Sequence, residues 1–377
     1  MKGSIRRRGK NSWELSIDVG RDHSGRRLRE FKNVKGKKSD AEKELRELLT
    51  KKDHGLPIQG DKITVSDWTN KWLKEHVQAT TRQKTQERYR DVVKNYIDPY
   101  IGHLGLQKLT PTDIKSLESE WLSKGISRQS VNYAHRILSA CLKYGVRMEV
   151  LYRNPAEAVK PPRIERKEIR PPSPGIIKEI LDKAEKQKVP LFPALWLISY
   201  TGIRRGECLG LEWKNVDLIE NKISIVQSLV RSSDKGLILQ PPKTPSSRRV
   251  VDIDGDTVRI LKIHKMRQLE SKVRLGPSFS DNDLVFPNNF GHPLNPMALT
   301  RSLEKAREGF GLDGMRLHDL RHLHASVLIQ EGYDPLVISR RLGHSKPSMT
   351  MDIYGHLMPG RQRQAAESFA NAMKAIS

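Results

Sequence analysis

The clearest hydrophobic rhythm near the start of the chain has a period of two. Trp13, Leu15, Ile17 and Val19 alternate with Glu14, Ser16 and Asp18, which predicts a half-buried strand. Gly20 to Gly25 (GRDHSG) has turn composition, and Arg27 to Phe31 reads as the hairpin partner. Ser39 and Glu42 have capping-box spacing and predict a helix to about Lys52. A three-stranded sheet with one helix is therefore expected in residues 1–57. A unit this small is only marginally stable alone.

After the Gly- and Pro-containing stretch 53–62 the rhythm becomes helical. Trp68 and Trp72 share one helical face, as do Tyr89, Val92, Val93, Tyr96 and Ile97. Thr110-Pro111-Thr112-Asp113 has the chemistry of a helix start, and Ile114, Leu117 and Trp121 follow on its apolar side. A fourth helix enters at Ser127 and carries Val131, Ile137, Leu138, Cys141 and Leu142. Residues 63–160 thus predict a four-helix bundle. A basic, proline-rich connector (KPPRIERKEIRPPSP) leads to a third unit, 173–377.

That unit opens with a Ser173-capped helix to about Lys186, then an apolar helix through Leu195–Ile198 that stops at Thr201-Gly202. Strand-like pieces follow at 222–227, 237–240 and 250–253. Helices are expected at 256–270, 297–308 and 317–330, and an amphipathic one with Ala365, Phe369, Ala370 and Met373 near the end. The fold class is multidomain and mainly α, with small β elements.

Charge gives this architecture a partner. The net charge is +24, and the excess runs through all three segments. A polyanion is the expected partner, nucleic acid being the usual one, with a ribosome-associated or simply basic protein as the bland alternative. Arg6, Arg7, Arg8, Arg26 and Arg29 would line one exposed face of the small sheet, which fits either strands laid in a DNA groove or a solubilising surface. In the helical unit, Lys84 and Arg128 stand among basic residues between the aromatics, which themselves read as core. Hydrophobic residues make up 36% of the chain, and the longest apolar run, around 191–200, is interrupted by Pro193. No membrane span is expected. The basic N-terminus has no apolar stretch behind it, so no secretory signal is expected either. Cys141 and Cys208 fall in apolar patterns and read as core residues of a reducing, intracellular compartment.

The densest chemistry lies between Arg316 and Leu357. His318 and Arg321 are spaced i, i+3 on one helical face, with His344 and Tyr354 downstream. Two imidazoles, a guanidinium and a phenol in a basic chain point to work on a phosphate. The run TGIRRGECLGLEW, the PPKTPSSRR turn, LHDLRHLHAS, RRLGH and MDIYGH occur in that order. Together these blocks resemble the catalytic domain of the tyrosine recombinase family, and within it phage and conjugative-transposon integrases. The likeness extends over all three units: an arm-site DNA-binding domain, a helical core-site-binding domain and the catalytic domain.

The resemblance implies a site-specific recombinase that cuts and rejoins DNA through a 3′-phosphotyrosyl bond, with no metal, cofactor or ATP. Tyr354 would be the nucleophile. Arg204 and Arg321 would clamp the non-bridging oxygens, since a guanidinium fork donates two aligned bonds and stays charged. Arg205 is the weaker choice of the adjacent pair. Glu207, i+3 from Arg204, would orient it. His318 would serve as base or hydrogen-bond partner toward tyrosine and phosphate. His344 would donate to a phosphate oxygen, and Lys243 would protonate the 5′ leaving oxygen, with Lys235 as its rival. The same likeness implies core and arm DNA sites, a homotetramer on DNA, DNA-bending and excision factors, and a cytoplasmic, nucleoid-associated place in a bacterial host. It also leaves room for a terminal helix docking on a neighbour.

Three competing readings remain. His318 and His322 have the i, i+4 spacing of zinc ligands, but no HExxH glutamate or Cys cluster accompanies them, and His322 and His324 read better as packing or support. A DNA-binding regulator would need the charge but not Tyr354 with its cations. A topoisomerase-like nickase would share the chemistry but have no use for two N-terminal binding units.

Overall fold

A computed structural model of the chain describes residues 3–21, 27–53, 63–164, 172–232, 236–242, 247–355 and 362–374. The chain divides into two compact units, Met1–Arg166 and Lys167–Ser377. No helix among the described residues is long and apolar enough to cross a membrane.

The first unit begins with an antiparallel meander of β1 (Gly3–Gly9), β2 (Ser12–Arg21) and β3 (Arg27–Lys35). The period-two pattern works as expected. Ile5, Trp13, Leu15, Ile17 and Val34 turn to one face and pack on Ala41, Leu45, Leu48 and Leu49 of α1 (Lys38–Asp53). Helix α1 starts earlier than the Ser39–Glu42 pairing suggested, because the Asp40 carboxylate accepts from the Lys37 amide at 2.8 Å.

The register also divides the arginines. Arg6 lies opposite Glu14 and Arg29 opposite Asp18, on the face away from α1; Arg7 lies opposite Trp13, on the helix side. One residue of shift changes face in a strand. The expected single face of five arginines is therefore corrected. Arg8, two residues from Arg6, forms an ion pair with Glu14 at 2.9 Å. Arg26 lies outside the described residues.

Four helical segments follow. Helix α2 (Val65–Trp72) continues through a π-turn, Leu73–Val77, to Thr80, and α3 (Gln83–Val92) continues through Val93–Ile97 to Ile101. Helices α4 (Pro111–Ser123) and α5 (Arg128–Arg147) complete the set. Both α2 and α4 begin with a full capping box, Thr64 with Asp67 and Thr110 with Asp113. The aromatics are core, as read. Trp68, Trp72 and Trp121 are fully buried, Trp68 Nε1 donates to the Cys141 carbonyl at 3.2 Å, and Trp72 stacks on Tyr89. Burial of each such ring contributes on the order of 3 kcal/mol. Lys84 and Arg128 are exposed.

The second unit is built around α7. After α6 (Pro174–Lys186), α7 (Phe192–Thr201) is apolar on all sides and almost wholly buried. Such a helix has to be enclosed by others. Helix α8 (Arg205–Leu209) and the strands β4 (Val216–Asp217), β5 (Lys222–Ile225), β6 (Ser228–Ser232), β7 (Gly236–Gln240) and β8 (Arg249–Asp252) come next. Strands β4, β5 and β8 form one antiparallel sheet, and β6 and β7 a separate hairpin. Strand β6 was not expected, since Leu229-Val230 is too short to show an alternation. Helices α9 (Gly255–Leu275), α10 (Pro296–Arg307), α11 (Leu317–Gln330), α12 (Pro335–Leu342), α13 (Pro347–Tyr354) and α14 (Gln362–Lys374) complete the unit. Trp196 on α7 donates to Thr257 on α9 at 3.0 Å.

Candidate active site

The site forms where helix ends converge. Helix α7 closes at Gly202, whose φ of 67° is left-handed and whose amide donates to Ile198. A Cβ there would meet Leu342 Cδ2 at 2.7 Å and His324 Cδ2 at 2.8 Å, so glycine is required twice over. The Gly202 carbonyl accepts from Arg321 Nη1 at 2.6 Å, and Arg321 Nη2 donates to the Leu342 carbonyl at 2.7 Å. Helix α12 ends at Gly343, also left-handed, whose carbonyl accepts from Arg204 Nη2 at 2.9 Å. Carbonyls at helix C-termini lack helical partners and carry partial negative charge, which makes them natural seats for guanidinium groups.

Glu207 is the hub of the cations. Its Oε1 accepts from Arg204 Nη1 at 2.7 Å, and its Oε2 accepts from the Arg204 amide and from Arg249 Nη2, both at 2.9 Å. Arg249 Nε also donates to the Arg341 carbonyl at 2.6 Å. Burial alone would raise the Glu207 carboxyl, but the Arg249 bond and the Arg249 and Arg204 charges outweigh it and hold the group below the usual range. Burial, then the nearby Arg204 charge, pulls Arg321 down to about 9, which leaves it protonated at neutral pH. Two guanidiniums thus share one carboxylate, Arg321 stands near enough to feel its charge, and the surplus positive charge lies with Arg204 and Arg321. The Arg204 side chain is 37% exposed, that of Arg249 only 6%.

That surplus borders a cavity of about 650 Å3 lined by Arg204, Arg205, Arg307, Arg316, His318 and Arg321, with Thr300 and Glu304 among the polar remainder. Burial, and then Arg321 and Arg204, lower His318. The same causes bring His344 to about 4, and its Nδ1 is hydrogen-bonded to Thr350 Oγ1 at 2.8 Å. Tyr354, the last residue of α13, is buried in a cluster with Ala325, Ile329, Ile338 and Leu342. Its hydroxyl lies 2.5 Å from Nδ1 of His322. Burial raises the phenol to about 12; burial and His318 lower His322 to about 4. Both groups are therefore uncharged, and the His322 tautomer sets which of them donates.

The profile of the phage integrase family matches residues 175–361, and that of the phage integrase N-terminal SAM-like domain matches 64–122. The ICEBs1 integrase of Bacillus subtilis is 30% identical over 277 residues, which cover 73% of this chain and 74% of that one. The chain belongs to the phage integrase family. It is a site-specific DNA recombinase of the tyrosine class. A tyrosine recombinase XerC-like protein of Caldanaerobacter subterraneus subsp. tengcongensis is 29% identical and covers 96% of both chains. Among solved structures, the Tn1549 transposon integrase in complex with a circular intermediate DNA superposes with a TM-score of 0.68 at 19% identity, over 81% of this chain and 99% of that one. A lambda integrase dimer bound to a core site gives 0.57 at 17%, over 93% and 94%. At these identities the likeness is one of fold, mainly helical with small antiparallel sheets.

Within this recombinase, Arg204, Glu207 and Arg321 meet in one cluster, and His318 lines the same cavity. Arg205 stays outside the cluster but lines the same cavity, its Nη1 donating to Thr300 Oγ1 at 3.2 Å. Tyr354 is not among the residues lining the cavity. Its partner is His322, not His318 as the sequence suggested; the His318 ring instead packs edge-on against His322 at 4.5 Å. Lys243 and its rival Lys235 lie outside the described residues. Arg249 was missed as a site residue, although its place beside Arg248 before a strand was the available signal. His324 Nε2 accepts from Arg341 Nε at 3.0 Å and so supports α12 from beneath.

Proposed function

We propose that this recombinase cleaves and rejoins DNA through Tyr354, which would attack the scissile phosphate to give a 3′-phosphotyrosyl bond and free the 5′ oxygen. The phosphodiester energy is kept in that bond, so rejoining needs no ATP. Arg204 and Arg321 would bind the non-bridging oxygens, with Glu207 and Arg249 fixing the Arg204 fork. His318 would take the phenol proton as base or hydrogen-bond the tyrosine and phosphate, His344 would donate to a phosphate oxygen, and Lys243 is the proposed acid for the leaving oxygen. The observation that carries this reading is the Arg204–Glu207–Arg249 cluster with Arg321 beside it at an arginine-rich cavity, a cationic surplus that a phosphate would complete.

The DNA would be addressed by the other segments. Arg6, Arg8 and Arg29 on the open face of the sheet suit an arm site, and Lys84 and Arg128 on the helical bundle suit a core site. Solved relatives in fold include a lambda integrase tetramer bound to a Holliday junction, which supports a tetramer for this chain too. Helix α14 leaves Phe369 and Met373 exposed, which fits a segment that docks on a neighbouring copy. DNA-bending and excision factors and a cytoplasmic site of action belong to the same proposal.

The test is a nicked duplex from the junctions flanking this gene's own locus, incubated with EDTA and without ATP. A covalent protein–DNA adduct is expected. Tyr354→Phe should form none, and Arg204→Ala and Arg321→Ala should lose cleavage while keeping site binding. An adduct in Tyr354→Phe would remove the nucleophile assignment. A requirement for added divalent metal would replace the reading with a phosphodiesterase.

A further inference from the structure

We propose that His322 is a positioning residue for Tyr354, its Nδ1 holding the phenol inside the protein and away from the arginine-lined cavity until α13 shifts. The inference rests on the reading of Tyr354 as nucleophile and adds the residue that controls its delivery.

The geometry places the two ends of the reaction apart. Tyr354 is 1% exposed, its ring sits among Ala325, Ile329, Ile338 and Leu342, and its hydroxyl bonds to His322 at 2.5 Å. Arg204, His318 and Arg321 line the cavity, and the His318 ring packs between that lining and His322. From the cavity inward the order is therefore His318, His322, Tyr354. A phenol that is 1% exposed and bonded to His322 is covered from a phosphate entering the cavity, although the Arg321 charge reaches it, so it has to leave His322 to react.

The attachment of α13 has the same logic. Two side chains of this eight-residue helix are tied to the site elements, Thr350 to His344 and Tyr354 to His322. Lys346, at its N-cap, makes no side-chain cap, and Met349 and Met351 are exposed on its outer side. His322 adjoins Arg321 on α11, and His344 follows Gly343, whose carbonyl holds Arg204. The holding groups are thus neighbours in sequence of the phosphate clamp. With His322 held down to about 4, its imidazole is neutral across the neutral range, so the contact joins two uncharged groups in either tautomer.

A holding contact and a proton acceptor in the attack predict opposite results. If His322 holds the phenol back, losing the contact raises the population of released tyrosine by about fivefold, the effect of one net hydrogen bond. The full-length protein and the nicked junction duplex above are the probe. His322→Phe should form the adduct about fivefold faster than the parent, and His322→Asn, whose amide oxygen can occupy the Nδ1 position, should restore the parent rate. In the DNA-free protein, the Cζ NMR resonance of Tyr354, assigned by its loss in Tyr354→Phe, should move in His322→Phe and stay in His322→Asn. If His322→Phe does not fold, His322→Gln takes its place, because its amide reaches the Nε2 position instead. Adduct formation in the folded variant at or below the parent rate, with Tyr354→Phe silent, overturns the proposal and leaves the nucleophile reading intact. An adduct in Tyr354→Phe overturns that reading itself.

Discussion

Arg321 donates through Nη1 to the carbonyl of Gly202, at 2.6 Å and across 119 positions of sequence. This bond ties the end of the buried helix α7 to the helix that carries His318 and His322. It also fixes the guanidinium plane, because Nη2 is held by Leu342 at the same time. A donor fixed in this way would lose little entropy on binding the phosphate proposed for it.

Gly202→Ala should therefore damage both stability and cleavage. The new Cβ would stand in left-handed backbone and press on Leu342 and His324. A cost of about 2 kcal/mol is expected from such strain. Urea unfolding should show it as a lower midpoint, and the adduct yield should fall because the Arg321 anchor moves. Retention of full cleavage would mean that the Gly202 carbonyl does not position Arg321.

Glu207→Gln removes the carboxylate that Arg204 and Arg249 share. Arg249 is then left buried without its counter-charge, a change expected to cost about 3 kcal/mol. Inorganic phosphate should restore part of the melting temperature, since an anion in the cavity relieves the cation cluster. Phosphate that stabilises the variant no more than an uncharged osmolyte would argue against a surplus of positive charge.

Stability should fall on mild acidification. His322 and His344 are held near 4 in the folded chain, against an ordinary value of 6.5. Between those values the unfolded chain binds more protons, so folding weakens as pH falls from about 6.5 toward 4 and the full contribution is present above that window. Denaturant titrations across this range should give a slope that flattens in His344→Asn. An unchanged slope in that variant would assign the acid sensitivity to other groups.

The face of the N-terminal sheet can be read by salt dependence. Arg6→Ala and Arg29→Ala should each reduce the slope of DNA affinity against salt by about one phosphate contact. Arg7→Ala should leave it nearly unchanged, because the register puts Arg7 on the α1 side opposite Trp13. Equal effects from all three would mean that DNA does not lie on the open face.

The sequence by itself determined most of the elements and named most of the residues proposed for the site. Alternation of Trp13, Leu15 and Ile17 sets a strand because side chains on a pleat change face at every step, and the Thr110–Asp113 cap starts a helix because orphan amides need acceptors. Arg204, Glu207, His318, Arg321, His344 and Tyr354 stood out because their motifs are local in the chain. Only the tertiary structure decided which of them meet. Arg249 joins Glu207 across 42 positions, and Tyr354 pairs with His322 and not His318. Neither pairing has a local sequence signal, because each depends on how helix ends and a strand start are brought together by the burial of α7. Strand register, one residue either way, likewise decided which arginines share a face. Periodicity names the residues that turn inward or outward; packing chooses their partners.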